Sequence, residues 1–466
     1  MINLSYNKKI FPVIMCAGIG KRMKSSFPKV MHSLLDKPML WWTVRSFRDI
    51  LKNKPIAIVG KNKDVIAKYF NDTDMDFVVQ DKPLGTAHAL LCAYESLRNI
   101  SDQDFFLVMP GDMPLIKQET IDNLVKMSES DNDIVFITCK VDNPSGYGRI
   151  IRDSFGKFVR IVEEKDASNE EQGIKEINVG IYIIRTALLK LLYNIKNSNA
   201  QGEYYLTDLL EIALKGGYKL DTLETLDQKE ILGVNSQRDL LAAQAEAKNS
   251  IIQFHLENGV QIFDISSTWI GPEVSISSGA KIMPGSIIYG KSEIGSSSIG
   301  PFSNVENSNI GDNSNVLYSV IKNSTIGNNV SIGPFSHIRE KTLVKDNIRI
   351  GNFVELKNTE IENNSKASHL SYLGDTSVGS NVNIGAGTIT CNYDGFEKYK
   401  TTIEDNVFVG SDSILVAPVK LSKGSMIAAG SVITRDVPED SLGIGRSSQV
   451  NKDGWVKRFK STKLKK

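Results

Sequence analysis

The sequence predicts two folds in one chain: a doubly wound α/β domain in the first half and a parallel β-helix in the second, joined by one helix. Three observations carry this. Short apolar runs alternate with amphipathic segments as far as about residue 235. A stretch of strong helix formers, Arg238 to Lys248, follows. From Ile270 onward an aliphatic residue then returns at every sixth position almost to the end of the chain.

In the first half the predicted strands are 10–15, 55–59, 77–80, 105–109 and 134–138, and the predicted helices lie near 39–51, 64–70, 86–97 and 118–127. Alternation of this kind implies a mostly parallel sheet covered on both faces. Ligands of such sheets bind beyond the carboxyl ends of the strands, so the motifs there carry the most weight. The expected division is 1–235, a linker helix over 236–257, and a β-helix over 258–466 with a basic tail.

The hexad register is the more specific signal. Ile326, Ile332, Ile338, Val344, Ile350 and Leu356 form one unbroken run, and Ile403, Val409, Leu415, Leu421, Ile427 and Ile433 another. Neither a helix nor a simple strand alternation gives this spacing. A β-helix does, when each side of a coil supplies one short strand and one corner. The residue four places on shares the narrow interior, and it is small or β-branched: Val330, Ser336, Thr342 and Val354, then Val407, Ser413, Val419, Ser425 and Ser431. Gly and Asn, which tolerate positive φ, crowd the corners. One-residue slips occur near Ile299, Ile310 and Ile321, and 391–401 interrupts the register outright.

Composition bounds the function. At 466 residues the chain exceeds one ordinary core, and its 55 basic and 54 acidic residues nearly cancel, which argues against general nucleic-acid binding. Cys16, Cys92, Cys139 and Cys391 have no metal-type spacing and fit reduced thiols in the cytoplasm. Lys8-Lys9 before an apolar run superficially matches a signal peptide, but a first buried strand running into a glycine loop accounts for the same residues better. No apolar stretch approaches a membrane span. The last twelve residues, from Trp455, hold six Lys or Arg and are expected to form a mobile basic tail.

The first strand ends in Cys16-Ala17-Gly18-Ile19-Gly20-Lys21-Arg22-Met23, with Pro28-Lys29 close behind. Glycines let backbone N–H groups approach phosphate oxygens, and Arg22 and Lys29 can neutralise phosphate charge. A Gly-x-Gly turn alone is also an ordinary strand-to-helix connection, and this spacing matches neither the P-loop nor the dinucleotide fingerprint. The strand over 105–109 ends in Pro110-Gly111-Asp112-Met113-Pro114. Its carboxylate is placed either to hold Mg²⁺ against a triphosphate or to cap a turn.

With Gln80, Leu84-Gly85-Thr86, Gly146-Tyr147-Gly148-Arg149, Ile161-Val162-Glu163, Glu176-Ile177-Asn178, Tyr204-Tyr205-x-Thr207-Asp208 and Val234-Asn235, these segments resemble the sugar-phosphate nucleotidyltransferases. More narrowly, they resemble the family of bifunctional N-acetylglucosamine-1-phosphate uridylyltransferase / glucosamine-1-phosphate acetyltransferases. The resemblance spans almost the whole chain. It implies a Rossmann-like nucleotidyltransferase domain, a left-handed hexapeptide β-helix, UTP and acetyl-CoA as co-substrates, Mg²⁺ as cofactor, and a cytoplasmic homotrimer making a precursor of cell wall and lipopolysaccharide. It assigns Asp112 and Asn235 to the metal and Arg22 and Lys29 to the phosphates and catalysis. Ala17, Gly18, Gln80, Gly85 and Thr86 would bind the uridine nucleotide, and Gly148, Glu163, Asn178 and Thr207 the sugar. Lys21, Pro110 and Val179 depart from the commonest pattern, which bears on sugar specificity.

The chain has five histidines. The hexad register puts Ala367 and Ser371 inside, so His369 points outward near a corner. His337 is expected at a comparable corner. Orientation alone therefore leaves an idle surface histidine as the default for both. The surrounding Ser365-Lys366-Ala367-x-His369-Leu370-x-Tyr372-Leu373-Gly374-Asp375 and Cys391-Asn392-Tyr393-Asp394-Gly395 resemble the acetyltransferase half of the same family. That resemblance implies His369 as general base. Arg339, Lys357, Tyr372, Asn383 and Lys398 would bind the sugar phosphate, Glu355 would orient the amine, and Ala386, Asn392, Tyr393, Ser411, Ala429 and Arg446 would bind acetyl-CoA. Two other readings remain at this point: a nucleotidyltransferase whose β-helix serves only oligomerisation or regulation, and a non-enzymatic scaffold. The scaffold should have lost Lys29, Asp112 or Asn235. The first should lack the His369–Tyr372 cluster and the 391–401 excursion.

Overall fold

The structure is a computed structural model describing residues 8–18, 20–61, 63–70, 74–97 and 100–463. The chain forms two compact units, Met1–Asn249 and Ser250–Lys466. The division falls inside the helix Gln237–Glu257.

In the first unit seven strands run across the sheet in the order Leu220–Thr225, Ile134–Lys140, Glu176–Arg185, Phe105–Pro110, Ile10–Met15, Ile56–Val59, Asp76–Val79. Side chains alternate along each strand between two cores. Ile14, Leu107, Met109, Val135 and Ile183 serve one face, and Val13, Phe106, Val108, Phe136 and Ile184 the other. That alternation is how a fully buried sheet uses near-continuous apolar strands. The expected helices stand at Met39–Arg48, Lys63–Tyr69, Thr86–Ser96 and Gln118–Glu129.

One element departs from the expected parallel order. Glu176–Arg185 runs antiparallel to both of its neighbours and carries a register shift between Asn178 and Tyr182. Gly180, at φ +85°, allows that bulge. The hairpin of Arg149–Arg152 with Phe158–Val162 attaches to this strand, and the helix Thr207–Lys215 follows it. None of these was expected from periodicity, because their residues read as recognition motifs before they read as strands.

The second unit is a left-handed parallel β-helix of hexapeptide repeats. Its coils lay down three parallel sheets of eleven, ten and nine short strands. The six aliphatic residues Ile326 through Leu356 are each at most 2% exposed. The small inward residues are buried too, and the hydroxyls of Ser336, Thr342 and Ser413 donate to backbone carbonyls, whereas those of Ser425 and Ser431 find no partner. Ser314 Oγ donates to the Gly327 carbonyl at 2.9 Å and accepts the Val330 N–H at 2.9 Å. Serine is therefore an interior residue here, bonding to the next coil where an aliphatic chain could not. Asn307, Asn323, Asn329, Asn358 and Asn381 take positive φ at corners. The 391–401 excursion loops out, pinned by an antiparallel bridge between Tyr393 and Lys398.

One expectation is corrected. His337 does not sit at a corner; it opens the strand His337–Arg339 and pairs with Glu355 on a flat sheet. The basic tail is helical over its described part, Trp455–Lys463, and exposed, with Trp455 stacked on Phe459 at 5.0 Å one turn away. Residues 464–466 lie outside the described residues. Among the described residues no helix is long and apolar enough to cross a membrane.

Because each interior hexad position is filled by one aliphatic chain, Ile338→Ala should cost about 2–5 kcal/mol. Ser331→Ala, one strand earlier and outward, should stay within about 0.5 kcal/mol. Chemical denaturation of the full chain measures both; equal effects would contradict the assigned inward register.

Candidate active sites

In the first unit Ile10–Met15 lies between two parallel neighbours, Ile56–Val59 and Phe105–Pro110. The crevice at their carboxyl ends is a topological switch point, where open α/β sheets take ligands. Ala17 and Gly18 begin one loop there, Gly111 and Asp112 the other. Ile19 lies outside the described residues. A Cβ on Gly111 would stand 2.9 Å from Cys16 Sγ and 3.1 Å from the Met15 carbonyl oxygen, so only glycine lets the two loops pass so closely.

The Asp112 carbonyl accepts the Val234 N–H at 2.9 Å and so draws in Asn235. Asn235 is fixed from behind: the Asp239 carboxylate accepts the N–H of Asn235 at 2.9 Å and of Ser236 at 2.8 Å, capping the helix Gln237–Glu257. Lys29 bridges the two, its ammonium donating to the Asp112 carboxylate and to Asn235 Oδ1 at 2.9 Å. Two oxygens from distant segments thus converge on one cationic centre. Arg22 is exposed on the short turn Lys21–Met23.

Gln80 is buried. Its Nε2 donates to the Gly85 carbonyl at 3.1 Å and lies 3.0 Å from His88 Nδ1, which leaves Oε1 as an acceptor. Gly85 has φ +116°, and a Cβ there would fall 2.5 Å from the Tyr204 carbonyl oxygen. The segment at Tyr204 ties this loop to the sugar motifs, since Thr86 Oγ1 accepts the Leu206 N–H at 2.9 Å and Thr207 follows directly. Thr207 donates to Glu163 at 3.1 Å, and a Cβ on Gly148 would lie 3.5 Å from the Glu163 carboxylate. Asn178 N–H donates to the Gly148 carbonyl at 2.8 Å. The Asn178 side chain is already engaged, its amide on the Tyr182 hydroxyl at 2.6 Å and its oxygen on the Gly180 N–H at 3.2 Å. Gly148, Glu163, Asn178 and Thr207 therefore cluster. Burial pushes the Glu163 carboxyl up, and burial with the neighbouring Glu211 and Asp166 pushes Asp208 up to about 6.

In the β-helix, equivalent positions of successive coils form ladders. His369, Ala386, Ser411 and Ala429 each stand two places after an inward residue of one sheet, namely Ala367, Ile384, Val409 and Ile427. They rise along one corner, joined by the Asp412 N–H to the Ala386 carbonyl and the Gly430 N–H to the Ser411 carbonyl, both 2.7 Å. Arg446 lies one coil beyond, its Cδ 3.7 Å from where a Gly430 Cβ would be. His369 is exposed and its Nδ1 meets Asn352 Oδ1 at 2.5 Å. Reading motifs missed Asn352; its signal was the offset of 17 residues, one coil before His369.

Past the same corner, Glu355 pairs with Tyr372 and Arg339 with Lys357 on the next sheet. Arg339 donates to Glu355 at 2.6 Å and 2.9 Å. Lys398, reaching over from the excursion, pushes the Lys357 ammonium down. Like charges held together in this way are suited to an anion. Asn383 is not with them: it belongs to the sheet of Lys366. Asn392 is buried, its amide turned onto the Asp375 carboxylate, and Tyr393 is exposed with its hydroxyl on the Gly395 carbonyl at 2.5 Å.

Models of known families match both halves: a MobA-like NTP transferase domain over residues 12–175, a bacterial transferase hexapeptide over 323–358, and a hexapeptide repeat of succinyl-transferase over 400–435. The bifunctional protein GlmU of Caldanaerobacter subterraneus is 46% identical over 461 residues, 98% of this chain and 100% of that one. Those of Fervidobacterium nodosum and Caldicellulosiruptor saccharolyticus are 46% and 43% identical, over 96% and 97% of this chain and 97% and 98% of theirs. The chain belongs to the bifunctional GlmU family. It is a transferase with two activities, glucosamine-1-phosphate acetyltransferase and N-acetylglucosamine-1-phosphate uridylyltransferase. Nucleotidyl transfer in the GlmU family requires a divalent metal. Asp112 and Asn235 fit one: they are hard oxygen donors that already converge on a cation, the Lys29 ammonium.

The raised pKa of Asp208 gives a pH test. In the folded chain it holds its proton up to about pH 6, whereas the unfolded chain releases it at about pH 4, so the group costs stability as pH rises through that window and nothing below it. Asp208→Asn should raise the unfolding temperature at neutral pH, and the gain should vanish near pH 4. A gain independent of pH would contradict the assignment.

Proposed function

We propose that the two activities run at the two clusters just described, acetyl transfer on the β-helix corner at His369 and uridylyl transfer in the crevice at Asp112, with Mg²⁺ as the metal. The observation that carries this is the pair of convergences: Lys29 held between Asp112 and Asn235, and His369 at the foot of the Ala386–Ser411–Ala429 ladder.

In acetyl transfer, the His369 imidazole takes a proton from the amine of glucosamine 1-phosphate as the nitrogen attacks the thioester carbon, and the carbon–sulfur bond to CoA breaks. A protonated amine is no nucleophile, so the base is required. The phosphate of the sugar meets Arg339, Lys357 and Lys398, which explains why two ammonium groups are kept together. Glu355, tethered by Arg339, stands three residues past the corner from Asn352 and helps orient the amine. Acetyl-CoA extends along Ala386, Ser411 and Ala429 toward Arg446, with Tyr393 beside it. Asn392 acts first as an anchor of the excursion through Asp375.

In uridylyl transfer, a phosphate oxygen of N-acetylglucosamine 1-phosphate attacks the α-phosphorus of UTP in line, and the bond to pyrophosphate breaks. Positioning and charge neutralisation do the work. Arg22 and Lys29 draw the phosphates to the Ala17–Gly18 loop. Asp112 and Asn235 would hold the Mg²⁺, which would supply charge neutralisation at the phosphates. Gln80 accepts the uracil imide N–H through Oε1, and Gly85 and Thr86 line the base. Gly148, Glu163, Asn178 and Thr207 receive the sugar and its N-acetyl group, the neutral form of Glu163 being favoured by burial.

The acetyltransferase site is assembled between prisms of a homotrimer. Supporting this, Phe302, Tyr318, Phe335 and Phe353 form an exposed stacked ladder leading to His369, with successive ring centroids 5.5–5.8 Å apart. Each is 39–64% exposed, more apolar surface than a lone prism leaves in water. Asn383, which faces away from Arg339 and Lys357, would serve a neighbouring copy. Four free thiols, one of them exposed at Cys391, suit a reducing cytoplasm.

His369→Ala should abolish acetyl transfer from acetyl-CoA to glucosamine 1-phosphate and leave uridylyl transfer within about twofold, while Asp112→Ala should do the reverse. Separate assays of the two half-reactions on folded variants decide it. Loss of both activities from either change would overturn the two-site reading.

A further inference from the structure

We propose that Asn352 is a positioning residue for acetyl transfer: its side-chain carbonyl takes the Nδ1–H of His369, which orients the ring and leaves Nε2 as the basic nitrogen. The inference rests on the reading of His369 as the base and adds what makes it one.

The backbone is built for this contact. In the sheet that carries His369, nine of the eleven strands are two residues long. Only Arg349–Asn352 and Lys366–His369 run to four, and their pairing ends on Asn352 opposite His369. The extension brings two outward side chains into register at a corner where other coils have already turned away. Gly351 makes it possible, because a Cβ there would fall 1.9 Å from the Ser368 carbonyl oxygen. The Leu370 N–H then closes the corner on the Asn352 carbonyl at 2.9 Å. The side chains meet at 2.5 Å, and Asn352 is half-buried while His369 is exposed.

The chemistry follows from the donor inventory. A neutral imidazole carries one N–H and one lone pair. An amide oxygen can only accept, so it selects the tautomer with the proton on Nδ1 and the lone pair on Nε2. It does so without adding charge beside the ring. The charged and titratable groups on the packed elements are Arg349 and Lys366 on the same two strands, and His337, Arg339, Glu355, Lys357 and Tyr372 on the adjoining sheet.

The test is the pH profile of acetyl transfer by the full chain carrying Asn352→Ala or Asn352→Asp, with uridylyl transfer as the check on folding. Asn352→Ala should lower kcat for acetyl transfer by roughly tenfold or more, with little change in the KM for acetyl-CoA. Asn352→Asp keeps the acceptor but puts a carboxylate against the ring, so it should retain activity at high pH and move the acidic limb of kcat up by about one pH unit. Wild-type rate and limb in both variants would overturn the proposal. So would a slowed Asn352→Ala beside an unmoved limb in Asn352→Asp, which is the behaviour of a structural residue. His369→Ala separates the two readings. If that variant still acetylates, the base assignment fails. If it does not, and the Asn352 variants behave as wild type, only the role of Asn352 fails.

Discussion

The interior of a β-helix coil holds one aliphatic side chain and one small one per side, and parallel hydrogen bonds lock each coil onto the last. Everything in the second half depends on this register. Because Ile350, Ala367, Ile384, Val409 and Ile427 must stack, the residues two places on must stack as well. A functional edge is therefore produced by the same constraint that fills the core. Chemistry enters where the repeat is relaxed: a pair of lengthened strands lets Asn352 reach His369, and the 391–401 excursion carries Lys398 over Lys357.

The first half solves the corresponding problem with a reversal of strand order. Ile10–Met15 has parallel neighbours on both sides, so two loops diverge from one point and leave a crevice. Lys29, Asp112 and Asn235 come from widely separated parts of the chain and meet there. The ammonium holds the two oxygens together, and Asp239 holds Asn235 from behind. The site is thus organised by its own charges before substrate arrives, which is the condition for catalysis by positioning. In both halves a glycine permits a close approach, Gly111 in one and Gly351 in the other.

The β-helix was legible because its period is strict: Ile326 to Leu356 could be placed inward, and His369 outward, from spacing alone. The sheet of the first half was legible only where strands were purely apolar. Glu176–Arg185 escaped because Asn178 and Gly180 sit in its bulge, and its antiparallel direction depends on a partner that no local pattern names. Among site residues, those in tight glycine loops could be found from sequence. Those acting through another side chain, such as Asn352 and Asp239, could not, because their significance lies in a contact across a coil or around a helix start. His337 was misplaced for a related reason: the spacing gives the outward direction but not which outward positions reach a corner, and His337 lies between the inward Ser336 and Ile338 whereas His369 ends a strand two residues longer than usual.

The central claim is that one corner of the β-helix carries both the base and the track for acetyl-CoA. A crystal structure of the full chain with CoA and glucosamine 1-phosphate tests it most directly. The account predicts the CoA sulfur beside His369 Nε2, the chain of the cofactor running past Ala386, Ser411 and Ala429 toward Arg446, and the sugar phosphate on Lys357 and Lys398. CoA seated along either of the other two corners, with His369 free in solvent, would contradict it.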